Sequence, residues 1–270
     1  MNGINKIYAP YITAKKLTGQ KITMLTAYDY SAAKILDNAG IDAILVGDSL
    51  GMAVYGDENT LSVSMEDIIR HTKAVSRGAK RSLIVSDMPF MSYQVSPEEA
   101  AYNAARLIKE GGAEAVKLEG GREFSQAVSR ITKCQIPVMG HLGLTPQSVY
   151  KFGGYKMQGK SKDDADRITE DALLLETLGV FAIVLECIPA ELARKITEKL
   201  TIPAIGIGSG PYCDGQVQVI NDILGLTENL PRHGKRYLDL NYEITKAVND
   251  YKNDVLSDRL FKKEGVSVNS

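Results

Sequence analysis

Short β-rich apolar runs recur along this chain, and a helical pattern follows each of them. The runs are Ile22–Ala27, Ala43–Val46, Leu83–Val85, Ala115–Leu118, Val138–Met139, Phe181–Leu185 and Ala204–Ile207, with a weaker eighth at Val217–Ile220. Near-continuous apolar strands that alternate with helices mark a parallel sheet covered on both faces. The helix starts agree with this. Ser64-Met-Glu-Asp67, Ser96-Pro97-Glu98-Glu99 and Ser161-Lys-Asp-Asp164 each place an oxygen-bearing cap three residues before an acid, the pattern of a capping box. Pro97 falls at the first helical position, where its missing N–H costs nothing. Glycines at Gly40, Gly78, Gly111-Gly112 and Gly179 stand where the helices should end.

Eight such units in 270 residues fit an α/β fold of the (β/α)8 TIM-barrel type better than the alternative, a doubly wound open sheet. The segment Ala9–Lys16 ahead of the first strand is expected to form a helix that plugs the barrel bottom. No internal linker is rich in Pro, Gly or Ser, which predicts a single domain over 1–270. The last stretch, Asp254–Ser270, is polar and charged and reads as a loose tail or a subunit contact.

Charge narrows the function classes. Lys and Arg total 32 against 33 Asp and Glu, a net charge of −1, which gives no broad attraction to nucleic acid or an anionic membrane. No apolar run reaches the roughly 18 residues of a membrane helix. Met1–Lys6 lacks an apolar signal core. The three cysteines, Cys134, Cys187 and Cys213, show no CxxC spacing, so reduced thiols in a cytoplasmic protein are expected rather than a disulfide frame or a zinc cluster.

In a parallel barrel the active site lies at the carboxyl ends of the strands. The residues that end each run are therefore the informative ones: Tyr28-Asp29, Gly47-Asp48-Ser49, Ser86-Asp87, Lys117 with Glu119, Gly140-His141, Glu186, and the glycine-rich Gly206–Gly210. Side chains alternate faces along a strand. One consistent choice of face sends Asp87, Lys117, Glu119 and Glu186 inward together.

Asp48, Asp87 and Glu119 come from three neighbouring strands. Converging carboxylates repel unless a cation sits among them, and hard oxygen ligands with room for water and substrate suit Mg²⁺. The plainer reading of each acid is a helix cap or an Asx turn. Glu186, between Leu185 and Ile188, should be partly desolvated and so raised toward general-base range, or else ion-paired with Lys117. Lys117 could hold a carboxylate or an enolate oxygen, or form a Schiff base. Two nearby acids favour the protonated amine. His141 is a site residue or an ordinary hydrogen-bonded histidine. Lys156 and Lys160, in the loop after Leu144, are lid or anion-attracting residues or simply solvated charges. An acid-held Mg²⁺ beside a base and a lysine suits proton abstraction from a 2-oxo acid followed by aldol-type carbon–carbon bond formation.

Eight stretches carry a closer likeness. They are Met24-Leu-Thr-Ala-Tyr-Asp-Tyr30, Val46-Gly-Asp-Ser-Leu-Gly-Met52, Ser86-Asp-Met-Pro-Phe-Met91, Val116-Lys-Leu-Glu-Gly-Gly121, Gly140-His-Leu-Gly-Leu-Thr-Pro-Gln-Ser148, Phe152-Gly-Gly-Tyr-Lys156, Leu185-Glu-Cys-Ile-Pro189 and Cys213-Asp-Gly-Gln216. In this order the sequence resembles the ketopantoate (3-methyl-2-oxobutanoate) hydroxymethyltransferase family. The resemblance implies a (β/α)8 barrel that transfers a one-carbon unit from 5,10-methylenetetrahydrofolate to 3-methyl-2-oxobutanoate, giving 2-dehydropantoate on the route to pantothenate and coenzyme A. It implies Mg²⁺ held by Asp48, Asp87 and Glu119. It implies contacts to the oxo acid from Asp48, Ser49, Asp87 and Lys117, with His141 in the site and Glu186 as proton acceptor. It also implies a homodecamer. Gly56-Asp57-Glu58-Asn59-Thr60, Ser209 and Gln218 depart from the family's common residues. The competing readings are a Mg²⁺-dependent 2-oxo-acid lyase or mutase of the phosphoenolpyruvate mutase type, and a barrel without catalysis that serves as a binding module.

Overall fold

A computed structural model describes residues 5–228, 230–231, 234–257 and 259–260. The apolar runs form eight parallel strands in one closed barrel, in chain order: β1 (Ile22–Thr26), β2 (Ala43–Val46), β3 (Leu83–Asp87), β4 (Ala115–Glu119), β5 (Val138–Gly143), β6 (Ala182–Glu186), β7 (Ala204–Ile207) and β8 (Gly215–Gln218). β8 pairs with β1 and closes the ring, with Val217 opposite Met24. The open-sheet alternative is thereby excluded. β8 lies two residues earlier than the sequence suggests, because Ile220 already begins a helix.

The inner face of the barrel is filled by Met24, Leu45, Leu83, Val85, Ala115, Met139, Val184, Ile205 and Val217, packed in one cluster. Val116 and Leu118 are also fully buried but stand at the other parity, so they face the helix layer. This alternation carries Asp87 above Val85, Lys117 above Ala115 and Glu186 above Val184 on the inner face.

The helix α1 (Ala9–Leu17) seals the amino-terminal end of the barrel. Ile7 and Ile12 join the inner cluster, and three lysines fix the helix and its approach to the barrel floor. Lys6 pairs with Glu114 at 2.7 Å, Lys15 with Asp42 at 2.7 Å and Lys16 with Asp214 at 2.9 Å. Each acid immediately precedes an even-numbered strand and also accepts a main-chain N–H from the strand before it. Asp42 takes Thr23 N–H at 2.9 Å, Glu114 takes Ile84 N–H at 3.0 Å and Asp214 takes Ala204 N–H at 2.9 Å. The floor is therefore stitched by charge as well as by apolar packing.

Around the barrel run α2 (Tyr30–Asn38), α3 (Met65–Gly78), α4 (Pro97–Arg106), α5 (Ser125–Lys133), α6 (Val149–Phe152), α7 (Lys162–Thr177) and α8 (Ala190–Lys199). Ser64 makes the full reciprocal capping box with Asp67. Ser96 and Ser161 cap their helices from the serine side only, through Glu99 N–H and Asp164 N–H. Gly78 is the last residue of α3, at a helix end as its position suggests, though not at left-handed φ. An added Cβ would strike the Tyr30 carbonyl, so this glycine also lets α2 and α3 approach.

The chain divides into two compact units, one ending at Ile220 and one from Asn221 onward. The barrel belongs to the first. In the second, a loop folds back so that Tyr237 N–H donates to Ile223 O at 2.8 Å. Helix α9 (Ile220–Leu224) starts on the last residue of the first unit and continues into the second, where α10 (Leu240–Leu256) follows, capped by Asp239. Residues 254–256, expected to belong to a tail, are the last turn of α10; residues 258 and 261–270 of that expected tail lie outside the described residues. Among the described residues, no helix is long and apolar enough to cross a membrane.

Candidate active site

The carboxyl ends of β2 through β6 bring the predicted residues together. Asp48 sits in the turn after β2, with its N–H donating to Asp87 Oδ2 at 3.0 Å. Gly47 permits this close approach: a Cβ there would lie 2.7 Å from Ser49 Oγ and 3.3 Å from Asp87 Oδ2. Ser49 shares a 2.9 Å hydrogen bond with the Tyr28 hydroxyl. Asp87 and Lys117 are register partners on β3 and β4, as are Glu119 and His141 on β4 and β5. Asp48, Asp87, Lys117, Glu119 and His141 are all buried, none more than 4% exposed. Asp29, by contrast, only caps α2 through Ala32 N–H at 2.8 Å.

The sequence pairs Glu186 with either a base role or Lys117. The structure gives Lys117 to Asp87, at 2.9 Å from Oδ1. Glu186 instead faces His141, with Nε2 at 3.3 Å from Oε2. The His141 Nδ1 lies 3.2 Å from Lys117 Nζ and 3.5 Å from Glu119 Oε1. Gly143, at positive φ, lets β5 pass against the Glu186 carbonyl where a side chain would collide. Lys156 and Lys160 are exposed, outside this cluster.

Electrostatics follow from burial. Burial first, then the charges of Asp87 and Glu119, push Asp48 well above the usual carboxylate range. Burial also raises Asp87, although Lys117 opposes it. Burial pulls Lys117 down, but Asp87, Glu119 and Asp48 more than offset this and hold it as an ammonium. A charged amine is not a Schiff-base nucleophile. Burial and Lys117 lower His141, while Glu119 and Glu186 raise it further, to about 9.

Three buried carboxylates thus share one lysine, an excess of negative charge that a divalent cation would relieve. Asp87 Oδ1 and His141 Nε2, both at the mouth, each meet a charged partner, Lys117 Nζ at 2.9 Å and Glu186 Oε2 at 3.3 Å. Among the described residues, no three His, Cys, Asp or Glu side chains already close on one point as metal ligands. A Mg²⁺-type ion takes one or two carboxylates and keeps water and substrate oxygens, so among Asp48, Asp87 and Glu119 some would reach it only through water.

Two residues escaped the sequence reading. Gln147 is buried and hydrogen-bonds both Glu119 and Asp48. Tyr93 is buried beneath it, its hydroxyl 2.8 Å from Gln147 Oε1. Gln147 lies within a quoted motif, yet nothing in local spacing reveals that its loop folds back over two other strands. At the mouth, the loops after β2 and β5 meet where Asn59 Nδ2 donates to the Tyr150 hydroxyl at 3.3 Å.

A closed parallel barrel with acids, a lysine and a histidine buried at the carboxyl ends of its strands has the architecture of a (β/α)8 enzyme. The family model described as ketopantoate hydroxymethyltransferase matches residues 6–262. The chain belongs to that family. A 3-methyl-2-oxobutanoate hydroxymethyltransferase of Dehalococcoides mccartyi (strain CBDB1) is 60% identical over 241 residues, 89% of this chain and 86% of that protein. One of Thermoanaerobacter sp. (strain X514) is 58% identical over 241 residues, 89% of this chain and 88% of that one. Among solved structures, phosphonopyruvate hydrolase in complex with oxalate and Mg²⁺ shares the fold at a TM-score of 0.63 and 12% identity, over 97% of this chain and 92% of that one.

Proposed function

We propose that this chain transfers a hydroxymethyl group from 5,10-methylenetetrahydrofolate to 3-methyl-2-oxobutanoate, giving 2-dehydropantoate in pantothenate and coenzyme A biosynthesis. The observation that carries this reading is the buried grouping of Asp48, Asp87, Glu119 and Lys117 beside the His141–Glu186 pair, in a chain of this family. Asp48, Asp87 and Glu119 would hold Mg²⁺, directly or through water. Mg²⁺ supplies Lewis acidity, drawing charge onto the keto oxygen and so acidifying the C3–H bond. A 2-oxo acid and Mg²⁺ fit one another in this way, and the oxalate and Mg²⁺ of the structural neighbour are a precedent on the same scaffold.

The chain's own residues do the rest. The Lys117 ammonium and the Ser49 hydroxyl hold the oxo acid's oxygens, with Asp48 and Asp87 lining the same side. Glu186 accepts the C3 proton, and His141, 3.3 Å away, keeps that carboxylate aimed. Water first cleaves the one-carbon unit from the folate nitrogens, so that tetrahydrofolate leaves and formaldehyde remains; the C3 carbanion then adds to the formaldehyde carbon, and the resulting alkoxide takes up the proton held by Glu186 to become the new hydroxyl.

The test is a turnover assay with the metal stripped by chelation and restored. Product should appear only with both folate and metal. Conversion of the oxo acid without folate would overturn the reading in favour of a lyase or mutase.

We further propose a cytoplasmic homo-oligomer, a decamer as in the resemblance. Support comes from α10, which has no buried residue yet exposes Ile244, Val248, Tyr251 and Val255 at helical spacing, a stripe suited to another surface.

A further inference from the structure

Gln147 makes more hydrogen bonds within the site than any of the residues predicted for it. It lies in the short turn Pro146–Ser148 after β5 and is 7% exposed. Its main-chain N–H donates to Glu119 Oε2 at 3.0 Å. Its side-chain Nε2 donates to Asp48 Oδ2 at 2.8 Å and to the Met88 carbonyl at 3.0 Å. Its Oε1 accepts from the Tyr93 hydroxyl at 2.8 Å and from Gln94 Nε2 at 3.2 Å. Both amide hydrogens and both oxygen lone pairs are therefore engaged. A flipped amide would set oxygen against Asp48 and Met88, and nitrogen against Gln94, so only one orientation satisfies the site.

Tyr93 is fixed in turn. Its hydroxyl is 3.1 Å from the Glu119 carbonyl and accepts Glu119 N–H at 3.3 Å, and its ring meets Phe124 edge-on, with centroids 5.2 Å apart. One loop residue thus grips two carboxylates, one in the turn after β2 and one at the end of β4, and a tyrosine beneath the carboxyl end of β4 sets the grip.

We infer that Gln147 is a positioning residue which, locked by Tyr93, aims Asp48 and Glu119 at a shared divalent cation. The inference rests on the metal-site reading above. Ligand carboxylates work best when a further shell of hydrogen bonds fixes their direction, and losing such a partner costs about 10–100-fold in metal affinity.

The experiment titrates Mn²⁺ into the full-length protein by electron paramagnetic resonance, without substrate, and records thermal unfolding alongside. The proteins are the parent, Gln147→Leu, Tyr93→Phe and the double variant. Gln147→Leu keeps the main-chain N–H to Glu119 and removes only the side-chain grip. It should bind Mn²⁺ about 10–100-fold more weakly. Tyr93→Phe should weaken binding in the same direction by less, and the double variant should bind more tightly than the sum of the two losses predicts, because the tyrosine acts in part through the amide and in part through its own contact with Glu119. If Gln147→Leu fails to fold, Tyr93→Phe decides, since it retains the ring and its contact with Phe124. Unchanged Mn²⁺ affinity in the folded variants, with only a lowered melting temperature, would reduce Gln147 to a structural role and overturn the inference while leaving the metal site standing. A parent protein that binds no Mn²⁺ would overturn the metal site and the inference with it.

Discussion

Lys117 and Asp87 are register partners on adjacent strands, and their side chains meet in a 2.9 Å ion pair inside the barrel mouth. Both are buried. Breaking such a pair leaves one charge without its counterion and costs about 3–5 kcal/mol. Lys117→Met should lower urea stability by that order in metal-free protein and abolish turnover. Adding Asp87→Asn should recover most of the stability and none of the activity. A Lys117→Met protein as stable as the parent would show that the pair is not what balances the acids.

Glu186 is expected to exchange the C3 proton of 3-methyl-2-oxobutanoate with solvent. Loss of deuterium from C3-labelled oxo acid, followed by NMR with metal present, should fall about 10²–10⁴-fold in Glu186→Gln, while oxo-acid binding by calorimetry stays near the parent value. Full exchange by this variant would assign the base elsewhere.

Asp42 should control part of the acid limb of stability. Burial pushes its carboxyl up, but Lys15 and the Thr23 N–H and hydroxyl prevail and hold it below the ordinary value. A depressed folded-state value contributes stability above the unfolded carboxylate pKa of about 3.9, and that stability drains away as pH falls below it. Asp42→Asn should therefore be less stable at pH 7, by about 1–3 kcal/mol, and should lose less on acidification toward pH 2. Parallel stability curves from chemical unfolding across this range would contradict the assignment.

Cys187 should resist alkylation. Burial first, then the neighbouring Glu186 charge, push its thiol up to about 11, and only the thiolate reacts. With iodoacetamide at pH 7.5, mass spectrometry should find the exposed Cys134 modified well before Cys187. The Cys187 rate should climb about tenfold per pH unit below pH 11. Prompt labelling of Cys187 at neutral pH would place it in a more open and more polar setting than described.

The barrel was legible because buried parallel strands leave an unbroken apolar signature, and the inward acids were legible because side chains alternate. Val116, Lys117, Leu118 and Glu119 show both effects in one strand. Partners were harder to read. Glu186 faces His141 rather than Lys117 because register decides which inward side chains sit side by side, and register is not written in any single strand. Gln147 and Tyr93 were hidden for a related reason: they reach the acids through loops that fold back from other strands. Gly78 ends α3 as expected, but its second role, admitting the close crossing with α2, stays hidden until the neighbouring helix is placed.

The three lysines that secure the barrel floor have a consequence for how the chain matures. Lys16 finds Asp214 across 198 positions of sequence, so at a synthesis rate of about 5–20 residues per second the segment made first waits roughly 10–40 s for its partner to be made. Until that last pairing closes, the apolar lining above it stands open to solvent from below.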